Sequence, residues 1–232
     1  MSFLPPPHWL DGWSFGRALL KAGDDPWADP ATLGHFSRDL KGLLRLPLID
    51  VNLDTLVIGD DLSVSDLEDR LTGDNTAQAI KTGLSALSGA GAPVALSLPG
   101  PAALATLAGE ASDEDAMDDL GLALADLART IAGAGADALL LREAEDAAFD
   151  FLGPLCNVAG HNGLALGLMV TAGGDAPDGV AIAYGCTSDA VIVDDAVWSG
   201  GPLGETGPHC YARIPDDASP DAVQAALDRL GL

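Results

Sequence analysis

Few residues in this chain are equipped for chemistry, and they are spread widely. His209 and Cys210 are adjacent, and His161 lies five residues after Cys156, yet no Cys-x-x-Cys, His-x-x-x-His or His-Glu-x-x-His spacing occurs. Neighbours on a strand point to opposite faces, so His209 and Cys210 could not easily share one ion, and no metal site is expected. Asp60 and Asp61 follow the apolar run LDTLVIG. A carboxylate at a strand end can hold a cationic or N–H-bearing substrate, and it can equally cap a helix or a turn. Arg142-Glu143 ends the run ALLL in the same way, as part of a site or as a local ion pair. His209 can act as a general acid or hold an anion, because imidazole titrates near neutrality, or it can be a structural group. Arg17 lies among Trp9, Trp13 and Trp27 and can bind a carboxylate or pack its stem on an indole face. Cys156, inside FDFLGPLCNVAG, is expected to be a core residue.

Positioning such residues needs a scaffold, and the patterning supplies one. Short continuous apolar runs alternate with amphipathic stretches from about residue 45: 53–58, 93–98, 138–141, 164–171, 180–184, 190–193 and 209–213. Runs of this kind suit parallel strands covered on both faces. Helix starts are signalled at Asp29-Pro30, at Asp74 or Asn75, at Ser112 and at Ser219-Pro220, and stops at Gly89, Gly133 or Gly135, and Gly231. The order predicts an α/β fold, a (β/α)8 TIM-type barrel trimmed in its second half, where the links at 172–179 and 185–189 are too short for full helices. The rival is a doubly wound open sheet, but no Gly-x-Gly-x-x-Gly or Gly-Lys-Ser/Thr is present, which argues against nucleotide binding. One domain over 1–232 is expected, with 1–44 as an N-terminal helical extension packed on the barrel.

With 35 acidic and 11 basic residues the formal net charge is -24, which disfavours nucleic acid and anionic membranes as partners. No 18-residue apolar run and no signal-peptide pattern is present, so a soluble cytoplasmic protein is expected. Three cysteines scattered through the chain read as free thiols, not as a disulfide framework.

Several of these positions fall in an order that resembles a known superfamily. The stretch WSFGRALLKAGDDPWADPATLGHFSRDLKGLLRLPLIDVNLDTLVIGDDL is similar to the N-terminal part of uroporphyrinogen decarboxylases, and LSLPGPAAL to a strand-to-helix turn they share with cobalamin-independent methionine synthases. GADALLLREA is similar to the methionine-synthase pattern ending in Asp-Glu-Pro, and GPHCYARIPDDASPDAVQAAL resembles the decarboxylase C-terminus. The resemblance implies catalytic roles for Asp60 and His209, and substrate contacts for Arg17, Asp61, Gly100 and Glu143. It implies a cofactor-free decarboxylase or lyase acting on a small carboxylated molecule. A methyltransferase of the methionine-synthase type is the alternative, and a non-catalytic ligand- or partner-binding descendant a third. A small-molecule substrate is expected as partner; a homodimer or a partner protein is compatible with the family.

The chain also departs from the family pattern. Trp13 stands where decarboxylases have a second arginine, LMVTAGG lacks the zinc-binding His-x-Cys, and Arg142 replaces the aspartate beside Glu143. So acidic a chain, with one clamp arginine missing, suits a substrate smaller than the octacarboxylate uroporphyrinogen.

Overall fold

The computed structural model describes residues 6, 8–20, 25–60, 62–172, 174–186, 189–204 and 207–232. Among these residues eight parallel strands form two sheets. The first runs in the order β2 (Ile49–Asn52), β3 (Val94–Pro99), β4 (Ala138–Glu145), β5 (Ala165–Ala172), β6 (Ile182–Tyr184). The second has β8 (His209–Arg213) between β1 (His8–Asp11) and β7 (Ala190–Ile192). The helices are α1 (Trp13–Leu20), α2 (Pro30–Leu44), α3 (Asp54–Val57), α4 (Val64–Thr72), α5 (Asp74–Leu87), α6 (Pro101–Leu107), α7 (Glu114–Gly133), α8 (Gly153–Asn162) and α9 (Pro220–Leu230).

This is an α/β fold with parallel sheets, and a closed (β/α)8 barrel is not what its hydrogen bonds form. Among the described residues no backbone ladder joins β1 to β2 or β6 to β7. At one seam the three-residue strands β6 and β7 are bridged by Gly185 N–H donating to Ala190 O at 2.8 Å. At the other, the Trp9 indole donates to the Asp50 carboxylate at 3.2 Å. Among the described residues no helix lies between β5 and β6 or between β6 and β7, the links at 172–179 and 185–189 that the sequence marks as too short for one, and a 3-10 turn, Asp195–Ser199, lies between β7 and β8.

Two expectations are corrected. The run LDTLVI is not a strand, because the strand lies just before it, at Ile49–Asn52. The Asn52 side chain accepts a hydrogen bond from Asp54 N–H at 2.7 Å and turns the chain into α3, so Leu53 and Val57 are buried with helical spacing. Residues 1–44 are not helical throughout, since β1 pairs with β8 in the register Trp9 to Tyr211 and Asp11 to Arg213.

The two sheets enclose a common interior. Trp9, Tyr184 and Tyr211, from β1, β6 and β8, pack with Ala95, Ala138 and Leu140 from β3 and β4. The Trp9 and Tyr184 rings meet edge to face at 6.5 Å, and those of Tyr184 and Tyr211 lie tilted by 47° at 5.8 Å. Small residues opposite make room for these rings: a Cβ on Gly167 would lie 3.0 Å from Leu140 Cδ1 and 3.7 Å from Trp9 Cζ3. A larger apolar cluster packs the outer strand faces against the helices, with Leu96, Leu98, Leu139, Leu141, Leu166 and Leu168 buried.

Gly185 has φ of +88°, and a Cβ there would stand 1.9 Å from Val170 O. Gly185→Ala should therefore lower stability by about 2 kcal/mol or more, read by urea denaturation. Gly89→Ala, at a position with nothing within 4 Å of the added carbon, should change little.

Candidate active site

Polar side chains collect where the strands end. Asp11 closes β1, and Asp50 and Asn52 are alternate residues of β2, so both point to the interior side opposite Val51. Asp54 opens α3, Ser97 lies in β3, Arg142 in β4 and Tyr211 in β8. Asp11, Asp50, Asn52 and Ser97 are all buried.

The two buried carboxylates have unequal surroundings. Asp11 Oδ1 accepts from Trp13 N–H at 3.2 Å, its Oδ2 accepts from the Tyr211 hydroxyl at 3.3 Å, and Arg213 Nε stands 3.9 Å away. Asp50 accepts the Trp9 indole N–H on Oδ2, and its Oδ1 is buried with no hydrogen-bond partner among the described residues. Burial pushes the Asp50 carboxyl up to about 7, with the Asp11 charge adding to the rise; Trp9, Ser97 and Arg142 pull it back. Asp50 is thus poised between neutral and ionised forms near neutral pH.

Arg142 is ion-paired with Asp54, which also accepts from the Asn52 amide at 3.1 Å. Asn52 is fixed in turn by the Trp27 indole, which donates to its carbonyl at 2.8 Å. Burial works against the Arg142 charge, but Asp54, Asp11 and Tyr211 outweigh it and raise its pKa. Its side chain is 12% exposed, and its Nε, like Ser97 Oγ and Tyr184 Oη, is buried without a hydrogen-bond partner. A cavity of about 240 Å³, lined by Ser14, Asp195, Arg213, Ile214, Pro215 and Asp216, adjoins the Asp11–Arg213 pair. A second, of about 600 Å³, shares Asp195 and Pro215 with it and reaches the start of α9.

The residues named from the sequence are placed differently. Asp60 is exposed beyond α3, and Asp61 lies outside the described residues. Arg17 is half-buried, one turn into α1. His209 opens β8, at the end of its strand opposite to the one that Asp60 follows on β2, and its Nδ1 is buried without a hydrogen-bond partner. Asp60 and His209 are therefore not brought together.

Gly100 and Glu143 are brought together. A Cβ on Gly100 would lie 2.2 Å from Glu143 Oε1. The buried Glu143 carboxylate accepts from Ala102 and Ala103 N–H at 3.2 and 2.9 Å, so it caps α6. Burial raises its pKa to about 7, against the pull of those two N–H groups.

Among the described residues no group of three or more His, Cys, Asp or Glu could hold a metal ion. The zinc that the methionine-synthase resemblance would bring has no protein ligand set of that size among those residues.

The sequence signal for the cluster is the alternation in LPLIDVNLD, with Leu48, Asp50 and Asn52 on one face and Ile49, Val51 and Leu53 on the other. It marks a strand with an inward polar pair, four residues ahead of the expected one.

No family model matches the chain, and no curated protein matches it. Among solved structures, a methyltransferase from Methanosarcina mazei superposes with a TM-score of 0.62, covering 100% of this chain and 94% of that one at 13% sequence identity. The likeness is one of fold. It agrees with the parallel sheets described above. No described helix is long and apolar enough to cross a membrane.

Proposed function

We propose that the chain is an enzyme acting on a small carboxylated molecule at the strand ends, with Asp50 as proton carrier and Arg142 and Arg213 as anion holders. The scaffold in this reading is a barrel of the uroporphyrinogen decarboxylase and methionine synthase type, opened at two seams. The observation that carries it is Asp50: a fully buried carboxyl with one oxygen unpartnered, its proton affinity near neutrality, beside an arginine whose Nε is also unpartnered. Such an arrangement costs folding free energy, and buried groups held in this way cluster at functional sites. Decarboxylation fits these parts. Loss of CO2 leaves a carbanion that must take a proton, and neutral Asp50 can deliver one while the arginines hold carboxylate groups. The cavity of about 240 Å³ limits the substrate to something far smaller than a tetrapyrrole.

Methyl transfer is the second reading, and the name of the solved neighbour favours it. It requires a methyl donor, so methyl incorporation from a labelled donor that survives in Asp50→Asn would favour it over decarboxylation.

Thermal unfolding in acetate, malonate and succinate tests the carboxylate class. At saturating concentration one of these should raise the melting temperature, by an amount worth ~2.7 kcal/mol at a hundred times its Kd, and Arg213→Gln should reduce that gain. No stabilisation by any of the three, with clear stabilisation by amines of the same size, would count against this reading.

A further inference from the structure

Asp11 and Asp50 are buried carboxyls at neighbouring strand ends, yet their hydrogen bonding is lopsided. Asp11 is met by a backbone N–H, a phenol and a guanidinium, the surroundings of an ionised carboxylate. Asp50 has one indole N–H and one orphaned oxygen, the surroundings of a carboxyl that keeps its own proton.

The two arginines differ as well. Arg142 is locked to Asp54 and almost enclosed. Arg213 holds Asp11 loosely at 3.9 Å, and its side chain is 58% exposed and lines the mouth cavity. It is the member of the cluster that an incoming anion can draw away.

We infer that Arg213, through Asp11, controls whether Asp50 holds its proton. This rests on the reading of Asp50 as proton carrier and adds a positioning role for Asp11 and Arg213. While Arg213 faces Asp11, part of the Asp11 charge is balanced. When a ligand carboxylate recruits Arg213, that balance is lost, and the neutral form of Asp50 becomes the favoured one. Binding then loads the acid that the reaction consumes. The other groups that bear on Asp50 stay in place: Trp9 on β1, Ser97 on β3, Arg142 on β4, Tyr184 on β6 and Tyr211 on β8.

Carbon-detected NMR titration of the protein labelled at the aspartate carboxyls tests this without a substrate, the Asp50 resonance being the one missing from Asp50→Asn. Its midpoint should rise by about half a unit in Arg213→Gln, stay at the wild-type value in Arg213→Lys, and fall by about one unit in Asp11→Asn. If Asp11→Asn does not fold, the two Arg213 variants decide alone, because that side chain is largely solvent-exposed. A neutral-range midpoint that is the same in Arg213→Gln and wild type overturns this inference only. An Asp50 resonance with no midpoint near neutrality overturns the proton-carrier reading itself.

Discussion

Replacing Trp9 with alanine should cost about 3–5 kcal/mol of stability, the range for removing a large buried aromatic. Trp9 is 1% exposed and stands at the seam between the sheets, against Tyr184 and facing the space that Gly167 leaves open. Its loss would empty the centre of the interior and remove the indole hydrogen bond to Asp50. Trp9→Phe keeps much of the packing and loses the N–H, so it should fall between wild type and alanine. Urea denaturation measures both. A Trp9→Ala protein within about 1 kcal/mol of wild type would mean that the interior is not built around this ring.

Stability should also fall as pH rises from about 4 to about 8. The Asp50 and Glu143 carboxyls are raised from 3.8 and 4.5 to about 7 in the folded chain. A raised carboxyl means that the folded state binds the proton more tightly than the unfolded state. Its contribution is therefore complete below the unfolded value and is lost as pH climbs through the folded one. Two such groups, both buried, make the change on the order of a few kcal/mol. His8 acts in the other direction. Burial, helped by the nearby His209, lowers its pKa, so its contribution is present above 6.5 and is lost as pH falls through the lowered value. The optimum should therefore lie on the mildly acidic side of neutrality. Asp50→Asn combined with Glu143→Gln should flatten the slope between pH 5 and 8, measured by melting temperature in one buffer series. An unchanged slope would mean that neither carboxyl is held neutral.

Which parts of this molecule its residue order announces follows from the range of the interactions that make them. Strands β3, β4 and β5 are continuous apolar runs buried on both faces, and α9 carries its Ser219 cap beside Pro220, so local sequence suffices to place them. Strand β1 is four residues, HWLD, with a histidine and an aspartate, and nothing local distinguishes it from a loop. It becomes a strand by pairing with β8, some 200 positions away. LDTLVI looks like a strand because β-branched and apolar residues adjoin, and only the Asn52 turn converts it to a helix. The site divides in the same way. Arg142 and Glu143 at the end of an apolar strand are conspicuous, and both prove to be bonded, Glu143 buried and Arg142 partly so. Asp50 is not conspicuous, because its character comes from Trp9, 41 residues away, and from Asp11, itself held by Tyr211 across 200 residues.

In the function proposed above, the strand ends hold a small carboxylate above a neutral Asp50. A crystal structure of the protein soaked near pH 7 with the carboxylate that stabilises it best tests this most directly. Density for the ligand carboxylate is expected on Arg213 or Arg142, with its remaining atoms facing Asp50 and Arg213 drawn off Asp11. A ligand bound elsewhere, with the Asp11–Arg213 and Asp54–Arg142 pairs undisturbed and the strand ends closed over Asp50, would contradict it and favour a non-catalytic scaffold.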